Sequence, residues 1–224
     1  MIGLPEAAMR EHGLLPCHWY GRNGFRRIFF SNFAAAKAPL AQHSGANNQE
    51  YKTMEHIIRK AGHADSERIW QIITDAKRLM AERGSTQWTE SYPSTDAIEA
   101  DICSGHAFVA CDRRQVAVAY AVITTEPEAA YADICGRWLT PGPYVTVHRL
   151  AVADGWRGRG LARALMARAE LEARSVGATG VRVDTNHDNA AMLALLPAMG
   201  YGLCGTVSYG PRGERIAFEK AVAH

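Results

Sequence analysis

The run Arg157-Gly158-Arg159-Gly160-Leu161-Ala162 lies between a strand-like stretch, Tyr144 to Val152, and a helix-like stretch that ends near Val176. These residue types suit a pyrophosphate. A helix start carries unsatisfied backbone N–H groups and the positive end of the helix dipole, so an anion settles there without needing lysines. Gly158 and Gly160 lack a β-carbon, which permits a tight turn and close backbone approach, and the small Ala162 keeps the first helical turn open. Two other phosphate loops do not fit. A P-loop requires Lys and then Ser or Thr after its last glycine, where this chain has Leu161 and Ala162. The dinucleotide fingerprint requires Gly or Ala where this chain has Arg163.

The pattern that does fit is Q/R-x-x-G-x-G/A, through Arg157, Gly160 and Ala162. At these residues the chain resembles the GNAT acetyltransferase superfamily, whose loop of that form binds the pyrophosphate of acetyl-coenzyme A. His148-Arg149-Leu150-Ala151-Val152 precedes the loop where the superfamily places its fourth strand, and the β-rich Gly180 to Thr185 follows the helix. Further on, Asn189 to Tyr201 resembles the superfamily's N-x-x-A-x-x-L-Y-x-x-x-G-F helix, with Asn189, Leu195 and Gly200 in place and Tyr201 standing for Phe. Leu196 occupies the place of the tyrosine that protonates the departing thiolate in many relatives, and it has no proton to give. Gln87-Trp88, Tyr92-Pro93-Ser94, Trp138-Leu139, Tyr144, His148-Arg149 and Arg215 to Lys220 are similar to a bacterial branch whose substrate the sequence does not name.

The resemblance implies an α/β (α+β) fold. It is a mixed, mostly antiparallel central sheet flanked by helices, with splayed central strands that bind acetyl-coenzyme A. It further implies that Leu150, Ala151 and Val152 offer main-chain partners to the pantetheine arm and thioester. By the same resemblance Arg157, Gly158, Arg159, Gly160, Leu161 and Ala162 hold the pyrophosphate, and Asn189 completes the cofactor set. The implied activity is direct N-acetyl transfer to a primary amine of a small molecule or peptide, with no metal.

Such an amine arrives as an ammonium ion and must lose a proton, for which a base near pKa 7 is suited. His148 is the candidate, because strand alternation puts it on one face with Thr146 and Leu150, and Thr146 stands where some relatives place a glutamate base. Asp133 or a chain of waters is the other route. Tyr201 and Tyr209 are the available substitutes for the missing acid, beside bulk water. Trp88, Tyr92, Trp138 and Tyr144, with Tyr131, are candidates for the acceptor pocket, since aromatic faces hold cationic amines; core packing is the competing reading for each. A non-catalytic acyl-coenzyme A sensor is the alternative function, and an RNA-binding protein using the arginine-glycine run is a third.

Elements to position these residues are readable. A strand is expected over 55–61, a helix from Asp65 or Ser66 to about Arg83, and a second helix over Ser94 to Cys103. Ala107 to Cys111 and Val116 to Ile123 read as an antiparallel hairpin through the polar Asp112 to Gln115. The helix after the loop places Leu161, Leu165, Met166, Ala169, Ala173 and Val176 on one face. Two closing strands, Leu203 to Tyr209 and Glu214 to Ala221, flank the turn sequence Gly210-Pro211-Arg212-Gly213.

Composition sets the class. The chain has 224 residues, 47% hydrophobic and 21% charged, with formal net charge +2, which suits a globular domain with a real core. Near-neutral charge argues against nucleic acid, which demands a concentrated basic face. No apolar stretch approaches the roughly 20 residues that span a bilayer. Five cysteines, an odd count without close metal-type pairs, favour reduced thiols and a cytoplasmic setting, as monomer or homodimer. Residues 1–53 carry Arg10, Arg22, Arg26, Arg27, Lys37 and Lys52 against Glu6, Glu11 and Glu50, and show no sustained periodicity. They read as a basic irregular extension preceding a domain over 54–223. A start placed too far upstream is one account of it, with Met54 just before the first strand-like run.

Overall fold

The computed structural model of the chain describes residues 56–223, so the expectation for residues 1–53 falls outside the described residues. The first elements are β1 (Ile57–Lys60), α1 (Ser66–Glu82) and α2 (Thr95–Cys103). Ser94 starts α2 by accepting a 3.1 Å bond from the Ala97 amide, which satisfies one of the helix's orphan donors. Strands β2 (Ala107–Cys111) and β3 (Ala117–Thr124) form the expected hairpin, and both are buried along their whole length. A long connection holding the two-residue β4 (Cys135–Gly136) leads to β5 (Tyr144–Val152). Then follow α3 (Leu161–Ser175), β6 (Gly180–Thr185), α4 (Ala190–Ala198), β7 (Gly202–Ser208) and β8 (Glu214–Ala221).

The strands form one eight-stranded sheet in the order β1-β2-β3-β5-β6-β8-β7-β4. Every neighbouring pair is antiparallel except β5 with β6. That parallel pair is short. Tyr144, Val145 and Thr146 face Gly180, Val181 and Arg182, and beyond Thr146 the two strands part while β5 stays bonded to β3. The sheet is therefore splayed at its centre, as the resemblance implied.

Two large cores hold the layers, with a smaller one around Tyr131, Cys204, Val207 and Ala217. On one face α1 and α2 bury Ile69, Ile72, Ile73, Ile98 and Ile102 against Val109, Tyr120 and Val122. Each fully buried isoleucine contributes roughly 2 kcal/mol of transfer free energy. On the other face α3 and α4 bury Leu161, Leu165, Met166, Ala169 and Leu196 against Val145, Val147, Val181 and Val183. Val176 departs from its expected face: it lies just past the end of α3 and is 54% exposed. Cys103, Cys111 and Cys204 are free thiols, but Cys135 is disulfide-bonded, which corrects the expectation of reduced thiols throughout. Sequence spacing does not limit which sulfurs meet in space, and thiol usage no longer argues for a reducing compartment.

Candidate active site

A cleft of about 300 Å³ opens on the α1–α2 face where β5 and β6 part. Its floor comes from Val147, His148, Arg149 and Leu150 of β5 and from Val183, Asp184 and Thr185 of β6. Met80, Gln87, Trp88 and Tyr92 supply the α1–α2 side, Glu126 and Glu128 the connection after β3, and Tyr209, Arg212 and Arg215 the β7–β8 turn.

The floor has a local defect that the sequence pattern hides. Tyr120 pairs with Ala151 and Val122 with His148, so Arg149 and Leu150 together oppose the single Ala121, which is a β-bulge. Arg149 takes the left-handed conformation at φ +51°, uncommon for a residue with a side chain. The bulge breaks the alternation used to place His148. Leu150 packs on the α3-side core, not on one face with His148, because the extra residue moves every later side chain to the opposite face.

Arg149 is turned toward α2. Its Nε donates to Asp101 Oδ2 at 2.9 Å, its Nη2 to Asp101 Oδ1 at 2.5 Å, and its Nη1 to the Tyr92 hydroxyl at 2.8 Å. Tyr120 Oη also donates to Asp101, at 2.6 Å. Tyr92 thus lines the cleft and is fixed there by the bulge.

His148 lies 3.7 Å from Glu128 Oε2, beyond hydrogen-bond length but within ion-pair range. Burial, then the Arg149 cation, pushes its pKa down to about 4, while Glu128 acts in the opposite direction. The expectation of a base near pKa 7 is thereby corrected: desolvation penalises the imidazolium and keeps the ring neutral. Asp133 is exposed and outside the cleft lining. At the far wall, Asp184 Oδ1 accepts from Tyr131 Oη at 2.7 Å and Tyr209 Oη at 3.0 Å. Its burial holds the carboxyl above the usual carboxylate range despite these bonds.

Trp88 lines the cleft, but Trp138 and Tyr144 do not. Their rings sandwich the Arg182 guanidinium at 4.3 and 3.9 Å, and Arg182 in turn pairs with the fully buried Glu219 at 3.0 Å. Both aromatics therefore brace the sheet. Tyr201 is also outside the cleft, beneath Lys220, whereas Tyr209 lines it. Leu196 is fully buried in the α3-side core.

The phosphate loop has the geometry its glycines imply. Gly158 and Gly160 sit at φ +74° and +81°, and Gly160 is the N-cap of α3. Among the described residues, the amides of 157–163 donate to no protein acceptor; the first such bond is Ala164 N–H to Gly160 O at 2.9 Å. The side chains lie outward: Arg157 reaches Asp154 at 3.4 Å, Arg159 covers the Trp156 ring at 4.9 Å, and Arg163 reaches the Ala198 carbonyl at 3.4 Å. Asn189 lines the cleft and caps α4, accepting from the Met192 amide and donating to Thr185 Oγ1 at 2.9 Å.

A free-amide loop beside a parted parallel strand pair is a place for a pyrophosphate with a long arm. Residues 67–201 match the Acetyltransferase (GNAT) family. The chain belongs to this family. An uncharacterized N-acetyltransferase of Bacillus subtilis, YesJ, is 28% identical over 154 residues, 67% of this chain and 83% of that protein. A GNAT-family acetyltransferase of Streptococcus agalactiae is 31% identical with TM-score 0.64, over 75% of this chain and 96% of that one. A phosphinothricin acetyltransferase of Sinorhizobium meliloti, solved with acetyl-coenzyme A, shares the fold at 18% identity and TM-score 0.57, over 76% and 90% of the two chains. The GNAT protein described here is accordingly an acetyltransferase that draws its acyl group from coenzyme A.

Among the described residues no helix is long and apolar enough to cross a membrane, and no group of three or more His, Cys, Asp or Glu is placed to hold a metal ion. The residues missed by sequence reasoning are Asp101, Glu126, Glu128, Asp184, Arg212 and, as a site residue, Arg149. A usable signal existed for two of them. Arg149 and Asp184 are charged residues inside β-rich strand runs, Arg149 beside His148 and Asp184 two places after Arg182, and a charge within such a run is kept for a partner or a ligand.

Proposed function

We propose that the enzyme moves an acetyl group from acetyl-coenzyme A directly onto a primary amine of a small molecule or peptide, bound in the cleft beside Glu128 and His148. The observation that carries this reading is the 3.7 Å approach of His148 to Glu128 at the point where β5 and β6 part. The amides of residues 157–163 would hold the pyrophosphate and the unpaired edge of β5 the pantetheine arm, with Leu150, Ala151 and Val152 contributing main chain. The loop fits that group, since a helix start with free amides needs no added cation.

The acceptor ammonium is attracted by the Glu128 carboxylate and loses its proton to the neutral His148 ring, which passes it to solvent beside Glu128. The free amine then attacks the thioester carbonyl: the new C–N bond forms, the C–S bond breaks, and the electron pair leaves on sulfur. Tyr209 is a weak source of a proton for that thiolate, because burial and Asp184 push its phenol well above the usual range. Water supplies it. The test is free-thiol release from acetyl-coenzyme A across simple amines, amino acids and peptides, with wild type, His148→Ala and Glu128→Gln. Each variant should lose about a hundredfold in turnover, a typical general-base effect, with unchanged acetyl-coenzyme A affinity. Wild type with no thiol release on any acceptor overturns the reading.

A further inference from the structure

We propose that Arg212 and Arg215 form an anion seat at the β8 side of the cleft, so that the acceptor is an amine that also carries a carboxylate. This rests on the transfer reading above and narrows its substrate class.

Arg215 is the second residue of β8 and only 8% exposed, yet it lines the cleft. Its Nη1 donates to the carbonyls of Arg212 at 2.9 Å and Glu214 at 3.1 Å. Among the described residues no carboxylate lies within 4 Å of it. A guanidinium withdrawn from water without a close counterion is costly. An incoming anion would complete the pair, and the planar fork of arginine suits a carboxylate.

The surrounding groups hold this cation in place and leave its charge unmatched. Tyr209 carries Arg212 at 4.9 Å and Arg215 at 5.8 Å from its ring centre, so one ring steadies both guanidiniums. Asp184, the acid that offsets Arg215 most, is bonded to the two tyrosine hydroxyls and acts on it from beyond 4 Å, as does Asp188.

The rest of the cleft is matched or acidic. Arg149 is paired with Asp101, Glu128 presents its carboxylate to His148 on β5, and Glu126 also lines the cleft. Strands β5 and β8 are separated by β6 alone, and Glu128, His148 and Arg215 all line the one cleft of about 300 Å³ that opens where β5 and β6 part. One small molecule therefore reaches both an acidic end, suited to its ammonium, and a cationic end, suited to its carboxylate.

The test pairs a binding measurement with a rate measurement. Calorimetry with coenzyme A present compares N-acetyl derivatives of the amino acids, and of dipeptides, with the matching C-terminal amides. Thiol release compares the free amino acids and dipeptides with their decarboxylated or amidated counterparts. Wild type should favour the carboxylate form by tenfold or more, the usual worth of a charged hydrogen bond. Arg215→Gln should erase that preference and raise KM for the acceptor with acetyl-coenzyme A affinity unchanged, and Arg215→Lys should restore part of it. Exposed Arg212→Gln, which does not disturb the core, should weaken the preference on its own.

Equal binding of acids and amides by wild type, or a full preference surviving in both glutamine variants, overturns the seat. Fast thiol release on neutral amines, equal to that on amino carboxylates, removes the seat and leaves transfer standing. Carboxylate-selective binding without thiol release on any acceptor removes transfer and leaves the seat standing.

Discussion

Arg149 reaches Asp101 through two N–H donors, and the backbone that aims it is a left-handed bulge residue at φ +51°. The side chains are 17% and 10% exposed, and the pair joins the central strand to α2. A buried ion pair is costly to break on one side because the remaining charge is stranded.

Asp101→Asn should therefore destabilise the fold by about 3 kcal/mol, read as a lower midpoint of urea unfolding with unchanged slope. A midpoint equal to wild type would show that water compensates Arg149, and the bulge would lose its proposed anchor.

His148 gives a pH signature with a definite sign. Its folded-state pKa, about 4, lies below the unfolded value near 6.5, so the unfolded chain binds the extra proton between these limits. Stability from this group is present above pH 6.5 and falls as pH drops toward 4, by about 3 kcal/mol in all. His148→Gln should flatten that part of the stability curve. Turnover should show no inflection near pH 6.5 from this ring; an inflection there that disappears in His148→Gln would contradict the depressed pKa.

Gly160→Ala separates conformation from space. A β-carbon at Gly160 would meet nothing within 4 Å, so the cost comes from φ +81° alone. The expected loss is about 1 kcal/mol of stability, because a side chain disfavours the left-handed region. The N-cap amides should then shift, and the measurement is KM for acetyl-coenzyme A, raised about tenfold if one charge-assisted bond is lost. Acceptor KM should stay level.

Leu196→Tyr asks whether the usual tyrosine can be restored. Leu196 is fully buried, and a larger ring there overpacks the α3-side core by about 1 to 3 kcal/mol. The melting temperature should fall without a gain in thiol release. A faster enzyme would mean that thiolate protonation limits the wild type.

The regular elements were legible because their signals are local. Tyr144 to Val152, Gly180 to Thr185 and Glu214 to Ala221 are strands with the bounds that β-rich runs and turn residues imply, and Ser94 announces α2 by its cap. The phosphate loop was legible for the same reason, since its glycines act on their own backbone. The cleft was not. Glu128, Asp184 and Arg215 come from segments far apart in the chain, and only the pairing order brings them together. Trp138 and Tyr144 show the converse limit: an aromatic side chain looks the same in sequence whether it faces a ligand or clasps Arg182. The bulge at Arg149 leaves no mark, because one extra residue in a strand changes facing without changing composition.

The three-residue junction between β5 and β6 makes the sheet two slabs riveted at one end, β1-β2-β3-β5 on one side and β6-β8-β7-β4 on the other. A molecule lodged in the open seam touches both slabs and resists their separation. Occupancy should then fuse two zones of backbone protection into one, so that amides of β5 and β6 exchange with solvent as a single block when the seam is filled.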